Sequence, residues 1–332
     1  MFIGCLLRFG IMKNWRLILL LGALLSIVLL WQLKTMIYDA GPLKTPTSIV
    51  IAPGDNSHTV AKLLEENGII NNALLFRIFA RFYQVDKKLK AGEYAFIPYE
   101  SLFEVMQKIA HGDVVYRKIT LPEGLTKREM LDIINNDDML SGEITIEVDE
   151  GEMLPETYSY TRGMSKDSIV KRAKKAMKKV LKSVWRDRDE TIPLKDKKQL
   201  LILASIVEKE TSVDTERSLV ASVFTNRLRK GMRLQTDPTV IYALTLGQKD
   251  LGRKLTKKDL SYDNPYNTYV YYGLPPAPIC SPGIASIYAA AHPEVSDYLY
   301  FVASGKGGHN FSSSLKQHND HVANYRKKRK KK

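Results

Sequence analysis

A pair of glutamates at the end of an apolar segment carries the clearest chemical signal in the chain. Residues 200–211 read LLILASIVEKET, a run of helix-compatible apolar residues that ends abruptly in charge. The pattern predicts a buried helix that enters a polar site. Glu208 shares a helix face with Ala204 and Ser205, whose small side chains would leave a hollow beneath its carboxylate. Glu210 points about 200° away around the helix axis, so only one of the two glutamates can face a given cleft.

The apolar helix surface under Glu208 predicts acid/base chemistry. Burial disfavours the charged form of a carboxylic acid, so its pKa rises towards the range in which it can donate a proton at neutral pH. Protonation of a glycosidic oxygen requires such an acid. The alternative is that Glu208 and Glu210 simply cap the exposed end of a core helix, and the helix pattern by itself leaves both interpretations open.

Asp237, in the segment LQTDPTV, is a candidate second carboxylate. The alternative is a structural role, because an Asp before a proline also forms Asx turns or caps a helix that Pro238 would open. Other nearby residues have amides and a ring suited to sugar hydroxyls and sugar faces, although the same types are common in ordinary loops. These candidate substrate-binding residues are Gln235, Asn264, Tyr266 and Asn267.

The histidines near the C-terminus do not predict a metal site. His309, His318 and His321 match no recognised ligand spacing, and no cysteine stands near them. Histidines that orient loops by hydrogen bonding are the simpler interpretation. The sequence predicts neither a metal nor a cofactor.

Residues 17–33 predict a transmembrane helix. They carry no charge and approach the roughly 20 residues needed to cross a bilayer. Arg8, Lys13 and Arg16 precede them, which predicts a cytoplasmic N-terminus over residues 1–16, a single-pass inner-membrane anchor and periplasmic working domains. A cleaved signal peptide is the alternative, but the apolar run is long and no small-residue cleavage site follows it directly. Met12 is a second candidate start residue.

Composition and charge bound the remaining function classes. Hydrophobic residues make up 44% and charged residues 26% of the 332 residues, which excludes a largely disordered or polytopic chain. The net charge is +14, but the tail RKKRKKK over residues 326–332 supplies half of it, as a solvated end or as a ligand for anionic polymers or lipids. The anchor places Cys5 and Cys280 on opposite sides of the membrane, so we expect no disulfide between them. An exported domain also argues against nucleic acid as a partner.

Two similar βα units punctuate the first half of the chain. After a linker over residues 34–47 come a strand at 48–51, a turn at Gly54, Ser57 as N-cap, and an amphipathic helix at 59–66. A second unit follows seventy positions later, with Gly124 matching Gly54 and Thr126 before its helix. Between them, residues 74–83 and 101–110 predict helices, and 92–97 a strand. We expect small α+β modules, either contacting polysaccharide or serving as spacers.

Several short blocks occur together in a recognisable order and spacing: LPETY at 154–158, ASIVEKET at 204–211, VASVFTNR at 220–227, MRLQTDPTVIY at 232–242, DNPYNT at 263–268, GLPP at 273–276, SPG at 281–283 and GHNF at 308–311. Together they resemble the endolytic murein transglycosylase family, also called YceG-like, from the anchor to Val322. The chain has PPAPI at 275–279 and SPG where PPGPI and NPG are common in that family. These departures bear on substrate preference more than on chemistry.

The resemblance implies an α+β fold with a LysM-like module at residues 48–113, a connecting βα unit at 114–143, a catalytic domain at 144–325 and a basic tail at 326–332. It implies Glu208 as the catalytic acid, without metal or cofactor. The reaction would cut the bond between N-acetylmuramic acid and N-acetylglucosamine, closing a 1,6-anhydro ring on the muramic residue without water. Action on new strands would end their elongation, with the peptidoglycan synthesis machinery as a partner.

Two rival functions stay open on the sequence. A non-catalytic membrane-anchored scaffold that binds peptidoglycan would need no acid. A glycoside hydrolase would use Glu208 together with Asp237, since hydrolysis normally needs a second carboxylate to activate water or form a covalent intermediate.

Overall fold

The fold is described from a computed structural model. The structure describes the backbone of residues 4–330 and the side chains of residue 15 and residues 17–328. The side chains of Cys5, Arg8, Lys13 and Arg16, and the last four residues of the basic tail, lie outside this description. The predictions that rest on them stay predictions.

A long N-terminal helix, α1 (Gly4–Tyr38), opens the chain. Its segment Leu17–Tyr38 is the one stretch among the described residues that is long and apolar enough to cross a membrane, with a mean hydropathy of 2.2. Twenty-two helical residues span about 33 Å, close to the hydrocarbon thickness of a bilayer. A membrane anchor and a signal sequence both fit this length and composition.

The chain divides into two compact units, Met1–Tyr116 and Arg117–Lys332. In the first, β1 pairs antiparallel with β2, with Ile49 opposite Tyr94, and the helices pack around Val60, Phe76 and Ile109. After α1, the elements of this unit are β1 (Thr47–Ile51), α2 (Ser57–Glu66), α3 (Ala73–Phe82), β2 (Gly92–Phe96) and α4 (Leu102–His111).

The predicted βα repeat is visible in the local structure. Gly54 and Gly124 both have positive φ angles, of 93° and 75°, which glycine adopts without the steric cost that other residues bear. The helices after them begin at Ser57 and Lys127. Thr126 caps the second helix, and the first is capped by Asn56 and not by Ser57, the predicted N-cap. The Asn56 side chain reaches the free amides of His58 and Thr59, which a serine already inside the helix cannot do.

The second unit begins with the second βα pair. Strand β3 pairs with β4, and Met130 and Ile134 share a core with Tyr158 and Ile169, so residues 117–143 fold with the following elements and not as a separate connection. The elements are β3 (Tyr116–Thr120), α5 (Lys127–Asn135), β4 (Thr157–Thr161), α6 (Lys166–Asp187), α7 (Lys197–Glu210), α8 (Arg217–Arg229), α9 (Asp237–Thr245), α10 (Ile284–Ala291), β5 (Tyr300–Ala303), β6 (His309–Ser312) and α11 (Leu315–Lys330).

Helix α7 is the centre of the second core. Asp196 caps its first turn by accepting the amide of Gln199. All residues from 200 to 207 are buried, and the helix packs against α8 and α10. The predicted buried helix is thus confirmed, and the packing of α7 brings both glutamates to the end where the core meets solvent.

Candidate active site

The two glutamates at the end of α7 contact different parts of the second unit. Glu208 accepts a hydrogen bond from the amide of Gly283 at 3.0 Å, and its Cγ lies near Gly124. Glu210 accepts a hydrogen bond from the hydroxyl of Thr236. The predicted divergence of the two side chains around the helix is therefore observed, and each carboxylate has its own surroundings.

The hollow predicted beneath Glu208 is filled. The hydroxyl of Ser205 accepts the amide of Ile279 at 3.1 Å, and the thiol of Cys280 lies 3.3 Å from the carbonyl oxygen of Ser205. Small side chains on this face let the chain at Ile279 and Cys280 pack directly onto α7. Ala204 and Ser205 are fully buried and thus serve close packing of this segment onto α7.

Glu210 lines a cleft of about 490 Å³ together with amide, hydroxyl and aromatic side chains suited to bind sugar. Gln235 and Asp237, two of the predicted substrate-binding residues, lie in the same cleft, whereas Glu208 does not. The remaining lining residues are Phe224, Arg227, Leu234, Tyr269, Tyr300, Phe301, Leu315, His318 and Asn319.

The surroundings of Glu210 favour its neutral form. Burial, and to a lesser degree the negative charge of Asp237, raise the pKa of Glu210 to about 6, while the hydrogen bond from Thr236 and the positive charge of Arg227 act in the opposite direction. A carboxylic acid with a pKa in this range can donate a proton near neutral pH and take one back afterwards. The structure thus gives Glu210, the second glutamate of the pair, the property that acid/base chemistry requires.

The loop before α9 holds Thr236 in place against Glu210. The amide of Thr236 donates to the hydroxyl of Thr268, which also bonds the hydroxyl of Thr239. Gln235 has a φ of 52°, a left-handed conformation that residues other than glycine adopt at a cost. The network of threonine hydroxyls fixes this strained turn, and the turn directs residues 235–237 to the cleft.

Asp237 is the first residue of α9, and its carboxylate accepts the phenol hydroxyl of Tyr269 at 2.7 Å. Burial and this hydrogen bond raise the pKa of Tyr269 well above its ordinary value, so Tyr269 remains a donor to Asp237. Asp237 does not cap the helix through its side chain, because the residue before the helix is Thr236. Its carboxylate is therefore held by Tyr269 beside Glu210.

Arg227 places a buried positive charge at the cleft. Its guanidinium donates to the carbonyl oxygens of Leu299 and Leu234, both at 2.7 Å, and lies over the ring of Tyr300. Burial lowers the pKa of Arg227. The residue belongs to the block VASVFTNR, from which no role was predicted for it.

The other predicted substrate-binding residues lie outside this cleft. Asn267 is fully buried, and its side chain donates to the carbonyl oxygens of Leu260 and Tyr262, which makes it a loop anchor. The Asn264 side chain accepts the amide of Tyr266 at 3.0 Å. The ring of Tyr266 packs against Tyr242, with ring centroids 4.8 Å apart. Asn264 and Asn267 therefore hold the shape of their loop, and Tyr266 lines a neighbouring groove.

The histidines contact loops and strands of the second unit. His309 pairs with Glu216 through Nδ1 at 2.8 Å, and His321 contacts the hydroxyl of Ser312. His318 stacks on Tyr300 at the edge of the cleft, where burial lowers the pKa of its imidazole. Within the part of the chain that the structure describes, no three His, Cys, Asp or Glu side chains are grouped to hold a metal ion.

Comparisons with known proteins agree on one family. A family model described as the YceG-like family matches residues 49–324. The chain is 33% identical over 315 residues to a protein of Bacillus subtilis named endolytic murein transglycosylase, covering 83% of this chain and 84% of that one. It is 28% identical to a Streptococcus pneumoniae protein of the same name, covering 86% of this chain and 59% of that one. The crystal structure of a YceG-like protein from Listeria monocytogenes matches with a TM-score of 0.51 and 34% identity, covering 83% of this chain and 99% of that one.

Proposed function

This chain belongs to the YceG-like family, and we propose that it is a membrane-anchored lyase that cuts the glycan strands of peptidoglycan from within the strand. The relatives from Bacillus subtilis and Streptococcus pneumoniae carry the name of this activity. The observation that carries the proposal is Glu210, a carboxylic acid with a raised pKa in a cleft with amide, hydroxyl and aromatic side chains.

Glu210 is our proposed acid, in place of Glu208. Protonated Glu210 donates its proton to the oxygen that joins N-acetylmuramic acid to N-acetylglucosamine, and the bond from that oxygen to the muramic C1 breaks. The carboxylate then accepts the proton of the muramic C6 hydroxyl, whose oxygen closes on C1. The products are a 1,6-anhydro muramic end and a free hydroxyl on N-acetylglucosamine. Glu210 ends the reaction protonated, as it began, and no water is consumed.

The environment of Glu208 supports a different role. Its carboxylate holds the amide of Gly283, and the carbonyl oxygen of Ser281 in the same loop accepts the amide of Gly124. We assign Glu208 to the stability of these two loops. Gln235, Asn319 and Arg227 are the candidate groups for the sugar hydroxyls and the N-acetyl carbonyls, because they line the cleft that contains Glu210.

A hydrolase that uses Glu210 with Asp237 is the second candidate function, and the presence of Asp237 in the same cleft favours it. The hydrogen bond from Tyr269 ties up one oxygen of Asp237 and supports the lyase, which needs a single acid. Under the lyase proposal, Asp237 acts through its charge on Glu210.

The N-terminal part of the chain fits an envelope enzyme. We propose that the segment Leu17–Tyr38 anchors the protein and that both units lie outside the cytoplasm, where peptidoglycan is. We propose that the module after it, the LysM-like region of residues 48–113, contacts glycan, since it packs a core of its own. An anchored cleft would act on newly made strands, end their elongation and work beside the synthesis machinery.

Product analysis tests the reaction class. The full-length protein in detergent is incubated with intact peptidoglycan sacculi, and the released strands are examined by mass spectrometry. We expect the released strands to have a range of lengths and to carry 1,6-anhydro muramic ends. Reducing muramic ends would identify the hydrolase, and unchanged strands that nevertheless bind the protein would identify the scaffold. Deletion of residues 48–113 should weaken action on sacculi if the module contacts glycan.

A further inference from the structure

A second concave surface in the same unit is separate from the cleft of Glu210. It is a groove of about 1000 Å³, which we name the lysine groove. One wall carries Lys175, Lys178 and Lys182 of α6, and the other carries Lys197 and Lys198 at the start of α7. Lys197 and Glu210 lie at opposite ends of α7, about 20 Å apart along its axis at 1.5 Å per residue.

The floor of the lysine groove is apolar and aromatic. Met177 and Leu181 of α6 and Leu201 of α7 meet the paired rings of Tyr242 and Tyr266 there. Tyr266, predicted from the sequence to bind sugar, thus lies in this groove. The alternative is that the lysines of α6 are simply a solvated helix face. Lysines exposed to water need neither a deep groove nor aromatic rings beside them, so the shape and floor of the groove favour a binding site.

The charges of the groove are unevenly matched. Lys174 pairs with Glu152 at 2.8 Å, and buried Glu150 accepts the amide of Lys127 and the hydroxyl of Tyr242. Exposed Asp149 lies at the same acidic end. The five lysines of the two walls make no ion pair with any residue that the structure describes. Their unbalanced positive charge favours an anionic ligand.

We propose that the lysine groove binds the acidic peptide stems of peptidoglycan. Free carboxylates of a stem would meet the lysine walls, its apolar side chains would lie on the tyrosine floor, and an amino group of the stem would meet the end that carries Asp149 and Glu152. The inference rests on the proposed function, because it places the substrate's peptide portion beside the unit that cuts its glycan.

The groove fits a peptide better than a phosphate polymer. A phosphate chain gains from lysines alone, gains little from an apolar floor, and is repelled by the carboxylates of Asp149 and Glu152. A peptide with apolar residues and separated charges uses all of these features together. A stem bound about 20 Å from Glu210 would not touch the glycosidic bond that is cut. It would increase the affinity for strands that carry stems and so select them over strands that do not.

Calorimetric titration tests the proposal directly. The probe is the sugar-free stem pentapeptide, titrated into the full-length protein in detergent. The double variant Lys178→Gln, Lys182→Gln should bind it about fivefold more weakly, since each exposed pair contributes modestly. The control Lys179→Gln, Lys257→Gln removes the same charge from exposed positions of this unit outside the groove and should bind as the parent does.

Cleavage gives a second measurement. The groove variant should lose activity on strands that carry stems and keep parental activity on glycan from which an amidase has removed them. Equal peptide binding by the groove variant and the parent overturns the proposal. Tighter lysine-dependent binding of inorganic tripolyphosphate than of the peptide also overturns it, in favour of a phosphate ligand. Peptide binding does not require cleavage. The titration therefore tests whether the groove binds the stem even if the proposed reaction is wrong, and product analysis tests the reaction even if the groove does not bind the stem.

Discussion

Glu208 and Glu210 are two residues apart on α7, yet the first carboxylate holds the amide of Gly283 and the second accepts the hydroxyl of Thr236. The distribution follows from 3.6 residues per turn, which sends the side chains to opposite sides of the helix end. Glu210 lines a cleft together with Gln235, Asp237 and Arg227. The loops that contact the end of α7 therefore give the two carboxylates different surroundings.

The pH profile of cleavage should report Glu210. Because the acid must be protonated to act and its pKa is about 6, kcat/KM should fall as the pH rises through that value. Asp237→Asn removes the negative charge that raises this pKa. The fall of kcat/KM at high pH, which is the alkaline limb of the profile, should therefore move to lower pH. The matched control is Asp263→Asn, which alters the tyrosine-bonded Asp263 beside Tyr271 outside the cleft. An alkaline limb that stays in place in Asp237→Asn would contradict the coupling of the two carboxyls.

Thr236 should act as a positioning residue for Glu210. Thr236→Val keeps the shape but removes the hydroxyl that orients the carboxyl group, and we expect kcat to fall about tenfold, as for loss of a hydrogen bond to a charged group. The lost hydrogen bond also stops favouring the charged form, so the alkaline limb should move to higher pH. Thr236→Ser should recover most of both values. A merely structural role would lower the melting temperature without moving the limb.

Ser205→Ala should destabilise the second unit by about 1 to 3 kcal/mol, because the buried amide of Ile279 loses its acceptor. The control is Thr225→Val. Thr225 is equally buried, but its hydroxyl only donates to the carbonyl oxygen of Ala221 within its own helix, so its loss leaves no amide unpaired. Urea unfolding measures both variants. Equal effects in the two would show that the Ser205–Ile279 bond has no special role.

Glu210 should lower the stability of the fold at neutral pH. Its folded pKa of about 6 lies above the ordinary value of 4.5, so the folded state binds more protons in that window and stability falls as the pH rises through it. Glu210→Gln has no charge to bury and should gain about 1 to 2 kcal/mol at pH 7 but little at pH 4. Urea unfolding at both pH values tests this. A gain of equal size at both would show that the buried charge is not its cause.

The sequence predicts the local elements around the site well. The apolar run before Glu208 and the repeated turn glycines each depend on residues close in the chain, and the structure confirms them. The choice between Glu208 and Glu210 is different. It depends on loops at residues 235–239 and 279–283, which are distant in sequence from α7 and which supply the hydrogen-bond partners of Glu210 and Glu208.

Residue type was a weaker guide than burial. Asn267 has an amide suited to sugar, yet the chain folds it inward to hold the carbonyl oxygens of Leu260 and Tyr262. Arg227 was missed because its role follows from the packing of α8 beside the cleft. Both outcomes are set by tertiary contacts, which the sequence pattern near these residues does not encode.

The most direct test compares Glu210→Gln with Glu208→Gln in the yield of 1,6-anhydro muramic ends from intact sacculi, at a temperature at which the measured melting curves show both variants to be folded. Glutamine keeps the size and much of the hydrogen bonding but cannot donate and recover a proton. We predict that Glu210→Gln loses activity by at least about 10² to 10⁴ and that Glu208→Gln retains most of it. The reverse result, or parental yields from both variants, would contradict the assignment of Glu210 as the acid.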